Sequence, residues 1–261
     1  MYSLRLVCLP EETEMLSAEL WEAGTAGIRE LPYGEKCILI AGFDAEIPSL
    51  AVAFAAYQPE WYAEEDTDWV AETKLAWPAR SIGERIFLAP VWNEEKTPSN
   101  RERVVHNPGL ASGTGEHPCT QLALQALETV VTAESIIADI GAGSGILAIA
   151  ALKLGAHAAF ALDTDEVALE TARENFALNG LTAHLAAGSA DCLDSATAGI
   201  VMANISATVL VGIADELLRI TNKHLILTGF PESELAAIQK TFGDGDVTAL
   251  SEWRCLSLLV S

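Results

Sequence analysis

Residues 138–150 read ADIGAGSGILAIA, with glycines at 141, 143 and 145 after an apolar run and before a helix-forming stretch. Gly141, Gly143 and Gly145 permit a tight turn and let a ligand approach backbone N–H groups at the start of a helix. A dinucleotide fingerprint of the form GxGxxG needs glycine at 146, where Ile stands. Asp139 precedes the loop, where a carboxylate opposes a pyrophosphate but suits a cation. The pattern therefore fits S-adenosylmethionine, which carries an ammonium and a sulfonium, better than NAD. Asp163 lies about twenty residues further on, at the end of the next apolar run, and is assigned to a pair of ribose hydroxyls. Asp165, with Thr164 as competitor, is read as the cap of the following helix. Asn204, in VMANIS (201–206), falls at the end of the fourth strand. Its amide oxygen is suited to accept a hydrogen bond from a neutral amine and orient the lone pair; the alternative is an N-cap for the helix near 207.

A fourth candidate is the loop NPGLASGTGEHPCT (107–120), with hydroxyls at Thr114 and Thr120 and glycines that allow close approach. His117 invites a general-base role, but Pro118 follows it and no Ser or Cys nucleophile is visibly paired with it. A structural or cofactor-shaping role is preferred. His106, His157, His184 and His224 have no metal spacing, and no metal is expected.

Alternating strands and helices must position these residues. From 135 onward the pattern predicts strands at 135–140, 158–162, 183–187, 200–204 and 224–229. Helices are predicted at 145–154, 166–178, 207–219 and 233–242, and final strands at 247–250 and 255–260 that pair antiparallel. A helix is predicted over 118–131, a strand over 86–92 and a polar loop over 93–103. Repeated βα units with apolar strands mean a parallel sheet covered on both faces. The first sixty residues read strand (2–9), helix (11–23, with Met15, Leu16, Leu20 and Ala23 on one face), hairpin (26–31 and 37–43) and helix (47–57). That order suggests a ferredoxin-like layer with its last strand open. Three parts follow: a small α+β domain at 1–60, an acidic and aromatic linker at 61–85, and an α/β domain at 86–261.

The chain has 261 residues, 15 basic and 37 acidic, a formal net charge of -22. Half its residues are hydrophobic, enough to build a core. The acidic excess argues against direct nucleic-acid binding and against an anionic membrane surface. It suits a basic partner. Residues 1–80 hold 15 acids and 5 bases, so the smaller part carries the denser charge. From 60 to 72 there are six acids, no base, and Trp61, Tyr62 and Trp69 between them. This reads as a solvated face or as a surface for a basic polypeptide. No secretory signal is evident, and five cysteines without a CxxC pair suit a reduced, cytoplasmic chain.

Taken together, NPGLASGTGEHPCT, DIGAGSGILAIAALKLGA, ALDTDEVALETARENFALNGL and ANIS resemble the methyltransferases of ribosomal protein L11. The tail SEWRCLSLLV and the segment DWVAETKLAWPARSIGERIFLAPVW are similar too, so the match runs from about residue 68 to the end. The resemblance implies a Rossmann-like class I methyltransferase domain, mostly parallel and doubly wound with an antiparallel final strand. A small ferredoxin-like domain for substrate recognition precedes it. It implies methylation of lysine side chains and the α-amine of ribosomal protein L11, with S-adenosyl-L-methionine as cofactor. By motif match, Thr120, Gly141, Asp163 and Asn204 are the expected cofactor contacts, with Asp139, Gly143 and Gly145 beside them and Asn204 as the catalytic candidate. The family usually has Phe at Ser112, Thr at Glu116 and Cys119, Cys at Ala142, Leu at Ser206, SGIL at 228–231 and Trp at Thr73. Competing readings are methylation of another protein or a small molecule, a non-catalytic adenosylmethionine-binding module, and an NAD-dependent oxidoreductase.

Overall fold

The computed structural model describes residues 2–34, 36–63, 78–107, 115 and 117–260. Most of the 60–72 acidic segment lies outside them, as do Thr73, Ser112, Thr114 and Glu116. The chain forms two compact units, Met1–Thr73 and Lys74–Ser261.

In the first unit, β1 (Tyr2–Cys8), a helix (Thr13–Glu22), β2 (Gly27–Tyr33), β3 (Lys36–Phe43), a short helix (Pro48–Ala53) and β4 (Glu60–Ala63) follow one another. The strands lie in the order β2-β3-β1-β4 and every neighbouring pair is antiparallel. This is the ferredoxin-like layer, and β4 is the strand left open by the sequence pattern. Burial alternates along β3, as one apolar face requires. Leu16 and Leu20, one turn apart on the helix, are fully buried with Leu4, Leu6 and Leu39. Met15, expected on the same face, is 50% exposed, because it sits about 100° around the helix from Leu16. A linker is expected from 61, yet β4 continues to Ala63 along β1. Trp61 explains this: it packs edge-on against Phe43, ring centres 5.4 Å apart, on the apolar cluster.

The second unit opens with a three-stranded sheet of β5 (Arg80–Ile82), β6 (Ile86–Pro90) and β7 (Glu102–His106). β7 runs parallel to β6. Polar letters at 102 and 103 hide this strand in the sequence, since β7 is an edge strand that fully buries only Val104 and His106. The large sheet has the order β10-β9-β8-β11-β12-β14-β13. It is made of β8 (Ile136–Ile140), β9 (Ala158–Asp163), β10 (His184–Ala187), β11 (Ala198–Asn204), β12 (Thr221–Pro231), β13 (Asp246–Leu250) and β14 (Trp253–Leu259). β8 to β12 pair parallel, and β14 enters antiparallel between β12 and β13. Helices Pro118–Val130 and Ile146–Lys153 cover one face, and Ala207–Gly212, Ala214–Ile220 and Glu232–Phe242 supply the apolar side chains of the other. The single helix expected over 207–219 is interrupted at Ile213, whose backbone (φ -116°, ψ 22°) leaves helical geometry directly after Gly212, a poor helix former. Among the described residues, no helix is long and apolar enough to cross a membrane.

Candidate functional site

Strand order reverses at β8 and β11, the position where doubly wound sheets hold ligands beyond their carboxyl ends. A cleft of about 490 Å³ opens there. Gly141, Gly143, Asp163 and Asn204 all line it. Gly141 takes φ +73°, and a Cβ on it would stand 2.5 Å from Ile205 Cγ2, so this turn requires glycine. The Asp163 carboxylate is fixed by two backbone donors. Its Oδ2 accepts from Gly143 N–H at 2.8 Å and its Oδ1 from Asp165 N–H at 3.0 Å. A carboxylate accepts about four hydrogen bonds, so each oxygen keeps capacity for one more donor. Asp165 caps the next helix by accepting from Val167 N–H at 2.9 Å.

Thr120 and Asn204 are 84 residues apart in sequence and meet in space, Asn204 Nδ2 donating to Thr120 Oγ1 at 3.2 Å. The contact commits the amide nitrogen and leaves Oδ1 to accept from another donor. The N-cap alternative for Asn204 is not realised: Ser206 holds that position. His117 caps its own helix, Nδ1 accepting from Cys119 N–H at 3.3 Å, and stacks edge-on against Trp253 at 4.5 Å. Its side chain is thus engaged structurally.

Asp139 and Gly145 stand behind the loop and do not line the cleft. Gly145 is the N-cap of the helix Ile146–Lys153 and has no side chain to offer, so Asp139 supplies the cap from the buried side, accepting from Ala148 N–H at 3.1 Å. Asp139 is 1% exposed, and its Oδ1 has no partner. Burial, with the nearby Asp163 charge adding to it, pushes its carboxyl up to about 7. An unfolded-chain Asp titrates near 4. Between those values the folded protein holds a proton that the unfolded chain has released. Stability from this group is therefore full below about pH 4 and is lost as pH rises through about 7. Asp139→Asn is expected to flatten that dependence, and urea midpoints at pH 5 and pH 8 should differ by less in the variant than in the parent. An equal difference would show that Asp139 is ionised in both states.

No basic side chain lines the cleft among the described residues, whereas Asp163 and Asp165 do. A phosphate-rich ligand meets no counter-charge here; a cationic ligand with hydroxyl donors does. His106 is buried and held neutral, its pKa lowered to about 4 by burial and by Arg80. No cluster of His, Cys, Asp and Glu suited to a metal exists among the described residues. Besides apolar lining residues such as Val209, three contributors escaped the sequence reading. Gly188 and Ser189 line the cleft where β10 ends, and the only signal for them was the end of a weak strand. The third, Asn175, is buried within a helix interior, where asparagine is a poor helix former; that mismatch was the available signal.

Strand order, a glycine loop at the switch point and an acid closing the second strand define a Rossmann-like methyltransferase fold. Comparison with known proteins narrows this further. The family described as Ribosomal protein L11 methyltransferase (PrmA) matches residues 38–259. A ribosomal protein L11 methyltransferase of Gloeobacter violaceus is 37% identical over 205 residues, 75% of this chain and 64% of that protein. One of Synechococcus elongatus is 41% identical over 179 residues, 67% of this chain and 56% of that protein. The matched part thus spans less than two thirds of these relatives' length. The crystal structure of a ribosomal protein L11 methylase from Lactobacillus delbrueckii subsp. bulgaricus superposes with a TM-score of 0.63 at 27% identity, covering 69% of this chain and 96% of that one. This chain belongs to the ribosomal protein L11 methyltransferase family.

Proposed function

We propose that the chain is an S-adenosyl-L-methionine-dependent protein N-methyltransferase acting in the cytoplasm on amines of ribosomal protein L11. The observation that carries this reading is the cleft itself, with an acceptor carboxylate at Asp163, backbone at Gly141 and Gly143, an amide oxygen at Asn204 and no cationic side chain among the described residues. When bound, S-adenosylmethionine supplies a methyl group on a positively charged sulfur. Asp163 would accept from the two ribose hydroxyls, and the glycine loop would let the ligand lie against backbone. Asp139, buried behind the loop, would act through the helix it caps rather than by touching the ligand.

A lysine side chain with pKa near 10.4 is neutral in roughly one molecule in two thousand at pH 7, so the site must favour the neutral amine. Burial lowers a lysine pKa and a nearby carboxylate raises it. The lining includes Ile205, Ser206 and Val209, which follow Asn204 in the chain, while its carboxylates, Asp163 and Asp165, come from the end of β9 and the turn after it. Asn204 Oδ1 would accept one N–H of the incoming amine and aim its lone pair, while Thr120 keeps the amide from rotating. Alignment and desolvation are then the protein's main contribution.

The acidic front unit would steer a basic protein substrate by charge. The test is incubation of the full chain with S-adenosylmethionine and purified ribosomal protein L11, followed by intact mass. Stepwise methyl gains are expected, with an apparent substrate affinity that falls as salt rises. Binding of S-adenosylmethionine without any mass gain would overturn the substrate assignment, and preference for NAD would overturn the cofactor.

A further inference from the structure

Two asparagines one turn apart, Asn175 and Asn179, are buried on the helix Glu166–Leu178 and at its end. Burying an amide is tolerated only when its donors and acceptors are matched. Asn175, fully buried, matches them across the cofactor loop. Its Oδ1 accepts from Asn107 N–H at 2.8 Å, and its Nδ2 donates to the Ser144 carbonyl at 2.9 Å. Ser144 lies between Gly143 and Gly145 of the loop, and Asn107 is the first residue after β7. One side chain thereby ties the glycine turn to the start of the segment that leads to Thr120. The same helix closes on the loop from outside, where a Cβ on Gly145 would stand 3.1 Å from Ala172 Cβ.

Asn179 makes a comparable set of bonds elsewhere. It accepts from Val105 N–H at 2.9 Å and donates to the carbonyls of Val105 and Asn175, with none reaching the glycine loop. The pair therefore separates two roles that usually travel together: both hold β7 and its exit to the helix, but only Asn175 also holds the loop.

We propose that Asn175 is a positioning residue of the cofactor site, locking the glycine loop and the exit of β7 into one register so that the loop's backbone faces the cleft. Three glycines within five residues give this turn unusual conformational freedom, and a fixed anchor on Ser144 removes part of that freedom before a ligand arrives. The inference rests on the cleft being the S-adenosylmethionine site proposed above.

The experiment compares the full chain with Asn175→Ala and Asn179→Ala. Calorimetric titration with S-adenosylmethionine is expected to show about tenfold or more weaker binding for Asn175→Ala. Asn179→Ala is expected to unfold at lower urea yet bind within about twofold of the parent. Hydrogen exchange in the ligand-free proteins supplies a second readout: amides of 141–147 should exchange faster in Asn175→Ala than in the other two. Parent-like binding and exchange in Asn175→Ala, or equal losses in both variants, would overturn the positioning role. A parent chain that fails to bind S-adenosylmethionine would overturn the cofactor reading instead, leaving the exchange comparison to decide the anchor. Should Asn175→Ala not fold, Asn175→Asp keeps the shape and the acceptor for Asn107 but, when ionised, has no donor for Ser144. Its exchange over 141–147 should rise, and parent-like exchange there would overturn the proposal.

Discussion

Asp163→Ala is expected to lower the affinity for S-adenosylmethionine about 100-fold or more while the chain stays folded. A hydrogen bond to a charged group is worth about 1.5–3 kcal/mol, and the carboxylate is read as accepting two from ribose. Each 1.4 kcal/mol is about tenfold in affinity, so two such bonds account for the loss. A second effect acts in the same direction. Without the carboxylate, the N–H groups of Gly143 and Asp165 lose the acceptor that fixes the glycine turn against the end of β9. Asp163→Asn separates the two effects, because it keeps one oxygen for backbone or ligand but not both oxygens for both. Its affinity should fall between those of the parent and the alanine variant. Calorimetric titration with circular dichroism as a folding control makes the measurement, and unchanged affinity in Asp163→Ala would place the ribose elsewhere.

The second large effect is expected at Gly229, outside the cleft lining. Gly229→Ala should destabilise the chain by about 3 kcal/mol or more and weaken whatever binds beside Asn204. The residue has φ +100°, at a register shift between Thr228 and Phe230 in the pairing of β12 with β14. A Cβ there would stand 2.3 Å from the carbonyl oxygen of Ile205, and backbone cannot swing aside as a side chain can. Unfavourable φ alone costs about 1–3 kcal/mol, and the clash adds to it. Ile205 N–H also donates to the Thr228 carbonyl at 3.1 Å, so the turn carrying Asn204 is docked on this bulge. Relaxing the clash is therefore expected to shift the turn that holds Asn204 against Thr120. Urea unfolding gives the first number and ligand titration the second; a variant as stable as its parent would mean that β12 shifts freely.

The sheet and helices of the second unit were legible because the central parallel strands are buried on both faces and carry apolar runs, as at 200–203, whereas the exposed edge strand β10 reads only weakly. The helix 166–178 declared itself by Asp165 before it and Asn179 and Gly180 after it. β7 was not legible, because its polar residues 102 and 103 look like loop until β6 is placed beside it. The interruption at Ile213 was hidden for a different reason: apolar spacing continues across it, and only Gly212 marks the weak point. In the site, spacing identified Gly141, Asp163 and Asn204 as candidates, since each sits where a strand ends. The meeting of Thr120 with Asn204 was a matter of tertiary geometry. Asp139 drew attention as a charge, while its position behind the loop as a surrogate helix cap depends on which face of β8 it occupies. Asn175 went unnoticed because its partners are backbone groups 31 and 68 residues away, which no local pattern records.

The antiparallel insertion of β14 has a consequence for the order of events during folding. β12 is an eleven-residue strand whose middle, Leu225 to Leu227, is fully buried only once both of its neighbours are in place. One neighbour, β11, precedes it along the chain; the other, β14, follows it only after a helix and β13. Until β14 docks, β12 presents an open row of N–H and C=O groups, the kind of edge that pairs with other chains. The bulge at Gly229 that supports the Asn204 turn lies on the same unpaired side. Maturation of the cleft around Asn204 is thus tied to the docking of β14, and partly folded chains in which β14 has not yet paired are the ones most exposed to misassociation.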